Sequence, residues 1–92
     1  EMAHTPAFNA NGGRDHWPYT SMILIGPGIR AGRAFGGYTN LYTGIGIDPG
    51  GDPDLDQPGI SAESLCATLL ALGDADPEEY LRGAQPLTGV LA

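Results

Sequence analysis

Met22-Ile23-Leu24-Ile25-Gly26-Pro27-Gly28 is a run of four apolar residues stopped by a Gly-Pro-Gly turn. An uninterrupted apolar run, as opposed to an alternating one, predicts a strand buried on both faces, as in the sheet of an α/β protein. The strand is expected over residues 20–25. Immediately before it comes Gly12-Gly13-Arg14-Asp15-His16-Trp17-Pro18, where a cation, a carboxylate, an imidazole and an indole sit between two glycines and a proline. Side chains on a loop at the end of a rigid strand can converge on a ligand, so this loop is the candidate site.

Outward from there, residues 1–19 read as loop, punctuated by Thr5-Pro6, Asn9-Ala10-Asn11-Gly12-Gly13 and Trp17-Pro18. Residues 33–43, rich in Gly with Phe35, Tyr38 and Tyr42, fit short twisted strands or a hairpin. Residues 44–60 form a Gly/Pro/Asp-rich loop. A helix is expected over 62–72: Ser61 suits the N-cap, Glu63 suits the positive helix end, and Leu65, Leu69 and Leu72 fall on one stripe. Gly73 is placed to end it. Asp76-Pro77-Glu78-Glu79 starts a second, short helix. The tail Gln85–Leu91 fits an edge strand, where Pro86 is tolerated.

The bulk properties bound the rest. Ninety-two residues make at most one small domain, and 15 glycines and 8 prolines leave a quarter of the chain averse to regular structure. The chain opens on Glu1, within what reads as a site motif. It is therefore expected to be the C-terminal fragment, residues 1–92, of one larger α/β domain, with the remainder of the parent polypeptide upstream of Glu1 as its first partner. Eleven acidic residues against four arginines, with no lysine, give a net charge of −7. That balance disfavours nucleic acid and anionic membrane as partners, which call for basic patches. No apolar run approaches the ~20 residues of a membrane span. The lone Cys66 has no disulfide partner within the chain, and there is no Cys/His zinc-ligand set.

Within the candidate loop, His16 carries the chemistry. A neutral imidazole is a good ligand for Zn, Mn or Fe, and Asp15 beside it can serve the same ion or orient a neighbour. Adjacent residues of an extended segment point to opposite sides, so both reach one ion only if the loop is kinked. The alternative is a His-Asp pair that satisfies local backbone groups. Arg14 offers a planar fork for a phosphate or sulfate, or else a surface salt bridge. Trp17 is a pocket wall or part of the core. Glu1 and His4 add a carboxylate and an imidazole that can join the site or be solvated. Asp52, Asp54, Asp56 and Glu63 echo a calcium loop, but Gln57 stands where glycine is needed and Pro53 and Pro58 stiffen the segment, so a solvated acidic loop is the preferred reading. There is no phosphate-binding loop and no nucleophile elbow.

Several segments, in order, resemble a bacterial family. Glu1-Met2-Ala3-His4-Thr5-Pro6 looks like a divergent Glu-Phe-Gly-Arg-Thr-Pro. Gly13-Arg14-Asp15-His16-Trp17-Pro18 is similar to that family's Gly-Arg-Asp-His-Trp-Pro. Leu24-Ile25-Gly26-Pro27-Gly28-Ile29 is like its apolar strand and glycine turn, and Ser64-Leu65-Cys66-Ala67-Thr68-Leu69-Leu70 like its Asp-Leu-His-Ala-Thr-Leu-Leu. The family is the one called domain of unknown function 1501, which resembles the alkaline phosphatase and sulfatase superfamily and whose members often carry a twin-arginine export signal.

The resemblance implies an α/β chain forming the C-terminal part of an alkaline-phosphatase-like three-layer fold, exported to the periplasm or beyond. By the superfamily's analogy, a divalent metal (Zn, Mn or Fe) is held by His16, with Asp15 and Glu1 as further ligands. Arg14 and His4 are assigned to an anionic small-molecule ester, His4 standing where the family has an anion-clamping arginine. The nucleophile and most ligands would lie upstream. Met2, Ala3 and His4 replace Phe, Gly and Arg, and Cys66 replaces a His. Those changes keep open the alternative of a non-catalytic binding or surface protein that retains the fold without metals.

Overall fold

The computed structural model describes all of residues 1–92. Two short strands, β1 (Ala3–His4) and β2 (His16–Trp17), pair antiparallel near the N-terminus. Two helices, α1 (Ala62–Leu72) and α2 (Pro77–Tyr80), pack on each other towards the C-terminus. Everything between is turn and loop.

Helix α1 forms where the apolar stripe and the cap place it. The Ser61 Oγ accepts from the Ser64 N–H at 3.1 Å, and the Ser64 Oγ accepts from the Ser61 N–H at 3.1 Å. This reciprocal capping box has serine in the place usually taken by Glu or Gln. The C-terminal end departs from expectation in an instructive way. Gly73 has φ −87°, an ordinary value, and the left-handed residue is Asp74 at φ +58°. The Asp74 N–H donates to the Ala71 carbonyl and the Ala75 N–H to the Leu70 carbonyl, the bond pair of a Schellman motif with aspartate where glycine is usual. In α2, Asp76 caps by accepting from the Glu78 N–H at 3.0 Å, with Pro77 in the first turn.

The core is small. Ile47, Leu87 and Val90 are its buried apolar residues, with Leu24, Ile29 and Phe35 packed around them. The C-terminal tail threads through its middle. The Arg30 N–H donates to the Val90 carbonyl and the Ala92 N–H to the Gly28 carbonyl, both at 2.8 Å, around an isolated bridge between Ile29 and Leu91. On the other side, the Gly89 N–H and the Thr88 hydroxyl both donate to the Pro49 carbonyl. Gly89 lies so close to the Gly50 backbone that a Cβ would overlap it. Helix α1 joins through Thr68, which is fully buried. Its hydroxyl donates to the Ser64 carbonyl at 2.7 Å and accepts from the Leu87 N–H at 2.8 Å.

The strand expected over residues 20–25 does not form. That segment makes no backbone–backbone hydrogen bond, and Ile23 and Ile25 are 85% and 90% exposed. Only Leu24 reaches the core. The physical reason is pairing: a strand needs a neighbour, and no segment of this chain lies alongside it. The short strands expected over 33–43 contract to a hairpin turn around one bridge, Tyr38 with Gly44, closed by the Thr39 N–H donating to the Thr43 carbonyl at 2.8 Å. The tail likewise contributes a bridge and not a strand. Residues 44–60 are loop as expected, yet not wholly solvated. Ile47 is pinned in the core, while Asp48 closes a turn by accepting from the Asp52 N–H.

The accessible surface is 6693 Å², against about 5,000 Å² for a compact monomer of this mass. The radius of gyration is 14.9 Å, against about 12 Å for a compact chain of this length. No helix is long and apolar enough to cross a membrane. Thr68→Val keeps the volume and removes the acceptor of the buried Leu87 N–H. It is expected to destabilise the fold by about 1–3 kcal/mol, read as a lower urea midpoint at unchanged slope.

Candidate functional site

The site loop is a closed structure organised by one residue. The Asn9 Oδ1 accepts from the Asn11 and Gly13 N–H groups, both at 3.0 Å, and its Nδ2 donates to the Asp15 carboxylate at 3.2 Å. The Asn9 N–H donates to the Gly13 carbonyl at 2.7 Å. Gly12 takes φ +75°, which lets the chain reverse there without a Cβ clash. Below the turn, the Thr5 N–H donates to the Asp15 carbonyl at 2.9 Å, and the Thr5 hydroxyl accepts from the Asp15 N–H at 3.3 Å.

This closure sets the register that brings β1 against β2. Ala3 lies opposite Trp17 and His4 opposite His16. Successive side chains alternate faces, so the two histidines share one face, and Ala3 and Trp17 the other. The His4 and His16 ring centroids are 5.5 Å apart with planes at 76°. Both residues are exposed. On the opposite face, Trp17 packs with Tyr19 and Tyr38, with centroids 4.8–5.7 Å apart across the three rings. Trp17 is half-buried there, in an aromatic cluster apart from the Ile47-Leu87-Val90 core. The aromatic cluster holds β2 from behind and leaves the imidazole face open.

The remaining candidate residues disperse. The Asp15 carboxylate accepts from the Asn9 side chain and so serves the loop, while no backbone group is satisfied by an Asp15-His16 pair. The Arg14 guanidinium stacks over the Phe8 ring at 4.6 Å and makes no salt bridge. A cation over an aromatic face keeps its in-plane N–H donors available. Glu1 is exposed and takes no hydrogen bond or ion pair. No group of three or more His, Cys, Asp or Glu side chains gathers around a common point. The acidic loop uses its carboxylates internally. Asp54 accepts from the Asp56 N–H, and Asp52 lies 3.7 Å from Arg33.

A cleft of about 380 Å³ runs between the 47–49 and 57–59 loop segments, the start of α1 and residues 82–87. Arg82 and Glu63 reach it, but no residue of the 1–19 hairpin does. The candidate site is thus an open face and not a pocket. Two residues escaped the sequence reading: Asn9, which builds the turn, and Phe8, which seats Arg14. An Asn three residues before the Gly12-Gly13 step is the signal that could have found Asn9, since its side chain mimics a turn. Nothing in the sequence pattern marked Phe8.

Asn9→Ala removes all three side-chain bonds. It is expected to speed hydrogen exchange at the Thr5 amide about tenfold, as loss of roughly 1.4 kcal/mol from local closure requires. An unchanged rate would show that the pairing holds without the turn. Compared with known proteins, the chain matches no family model, no curated sequence and no solved structure.

Proposed function

We propose that this chain supplies one wall of the site of an exported, metal-dependent phosphate or sulfate ester hydrolase, as part of an alkaline-phosphatase-like three-layer α/β domain. The observation that carries this reading is the exposed pairing of His16 with His4 across β1 and β2, the open face of the Gly13–Pro18 block. The donor chemistry fits a divalent ion in part. The His16 imidazole fills one of the roughly four positions that zinc takes, and most of the other donors would come from polypeptide beyond this chain. Glu1, two residues before β1 and free of any partner, is the remaining carboxylate of the proposed ligand set. When bound, such an ion supplies Lewis-acid polarisation of the ester and an activated oxygen nucleophile.

This chain's own residues would bind and orient. His16 holds the metal, fixed by its place in β2. Arg14, braced on Phe8, offers N–H donors to an anionic ester within reach of the loop, a geometry that matches phosphate or sulfate oxygens. Asp15 maintains the loop through Asn9 and reaches the metal only if that bond opens. The surplus of accessible surface and the exposed Met22, Ile23 and Ile25 favour a partner polypeptide packed on the 20–25 segment, which the proposed larger domain would provide.

A second reading has its own support. No third metal donor stands near the histidines. A non-catalytic binding or surface protein that kept the fold and lost the metals would look like this. Metal content of the full-length protein separates the two. The hydrolase reading expects stoichiometric Zn, Mn or Fe together with hydrolysis of an aryl phosphate or aryl sulfate, both lost on His16→Ala. A metal-free protein inert to both esters would sink it.

A further inference from the structure

We infer that His4 and His16 together form a zinc half-site, with His4 a metal ligand and not a contact for the substrate anion. This rests on the reading of His16 as a metal ligand and adds the second donor. The strand register supplies the pairing, and the ring separation accommodates a zinc ion between the two imidazoles. The Thr5–Asp15 backbone bond makes that pair a hydrogen-bonded one, so His4 and His16, the next pair along, occupy the closer, non-hydrogen-bonded kind of position. An imidazole nitrogen sits about 2.0 Å from zinc and its ring centre about 1.2 Å further back. Two such ligands at the tetrahedral angle therefore have centroids about 5.2 Å apart. The observed separation is 5.5 Å.

Apart from their edge-on contact with each other, the two rings have no partner among the hydrogen bonds or in the core. Both rings are exposed. The backing is rigid where it counts, with the aromatic cluster behind β2 and the Asn9 turn fixing the register. No carboxylate competes for the rings, because Asp15 is tied to Asn9. Water completes the coordination in this chain alone, and the binding is that of a two-donor chelate.

Titrating the chain with zinc ion alone tests this, in a Cys66→Ser background so that the exposed thiol does not compete. One equivalent should bind, with the imidazole resonances of both histidines shifting together in NMR spectra. His4→Gln and His16→Gln should each weaken binding about tenfold or more, and the double variant should bind little worse than either single, as expected when one chelate is lost. Asn9→Ala, which keeps both imidazoles and loosens the turn, should also weaken it. Binding that survives His4→Gln but not His16→Gln overturns the half-site and leaves the metal role of His16 standing. Binding indifferent to both overturns both. Binding indifferent to Asn9→Ala overturns the claim that the paired strands build the site.

Discussion

The hydroxyl of Thr68 is the joint on which the C-terminal half of this molecule turns. It is fully buried, gives its proton to the helix backbone at Ser64 and takes one from the tail at Leu87. That second bond fixes where the tail leaves the helix. From there Leu87 and Val90 drop into the core, the Pro49 carbonyl ties down Thr88 and Gly89, and residues 28–30 pair with the chain end. A buried N–H without an acceptor costs more than an ordinary hydrogen bond gains, so this one contact constrains three otherwise separate segments. With so few buried apolar residues, polar bonds carry an unusual share of the positional information.

The N-terminal hairpin obeys a different logic and needs no core. Its closure is local, set by the side chain of Asn9 and the reversal at Gly12, and its two faces are divided by strand alternation. One face is aromatic and packed; the other carries two imidazoles and nothing else. A site built this way depends on register, since a slip of β2 by one residue would exchange Trp17 for His16 and move His16 to the face opposite His4.

Local signals in the sequence were read well, and signals that need a distant partner were not. Helix α1 lies where Ser61 and the leucine stripe put it, because capping and periodicity are properties of neighbouring residues. The stop at Asp74 in place of Gly73 shows that the left-handed position can pass to the next residue when an aspartate is there. The 20–25 segment is the opposite case. Its four apolar residues state a preference for burial but cannot supply the ladder that a strand requires. Ile47 went the other way, an apolar residue in an acidic loop that its surroundings drew inside. At the site, residue types identified His16 and His4 separately. Their opposition across β1 and β2 depends on turn length and register, which composition does not encode. Phe8 beneath Arg14 was illegible for the same reason.

The exposed segment from Thr20 to Ile25 has a consequence for handling and for biogenesis. Six uncharged residues, mostly apolar and with backbone groups free of any ladder, form a template for edge-to-edge pairing with another copy. Pro18 on one side and Gly26-Pro27-Gly28 on the other confine that template to a short window, as flanking residues that interrupt a ladder do. During synthesis, pairing of this window with a second copy competes with folding, so the concentration of the emerging chains governs the yield of soluble protein.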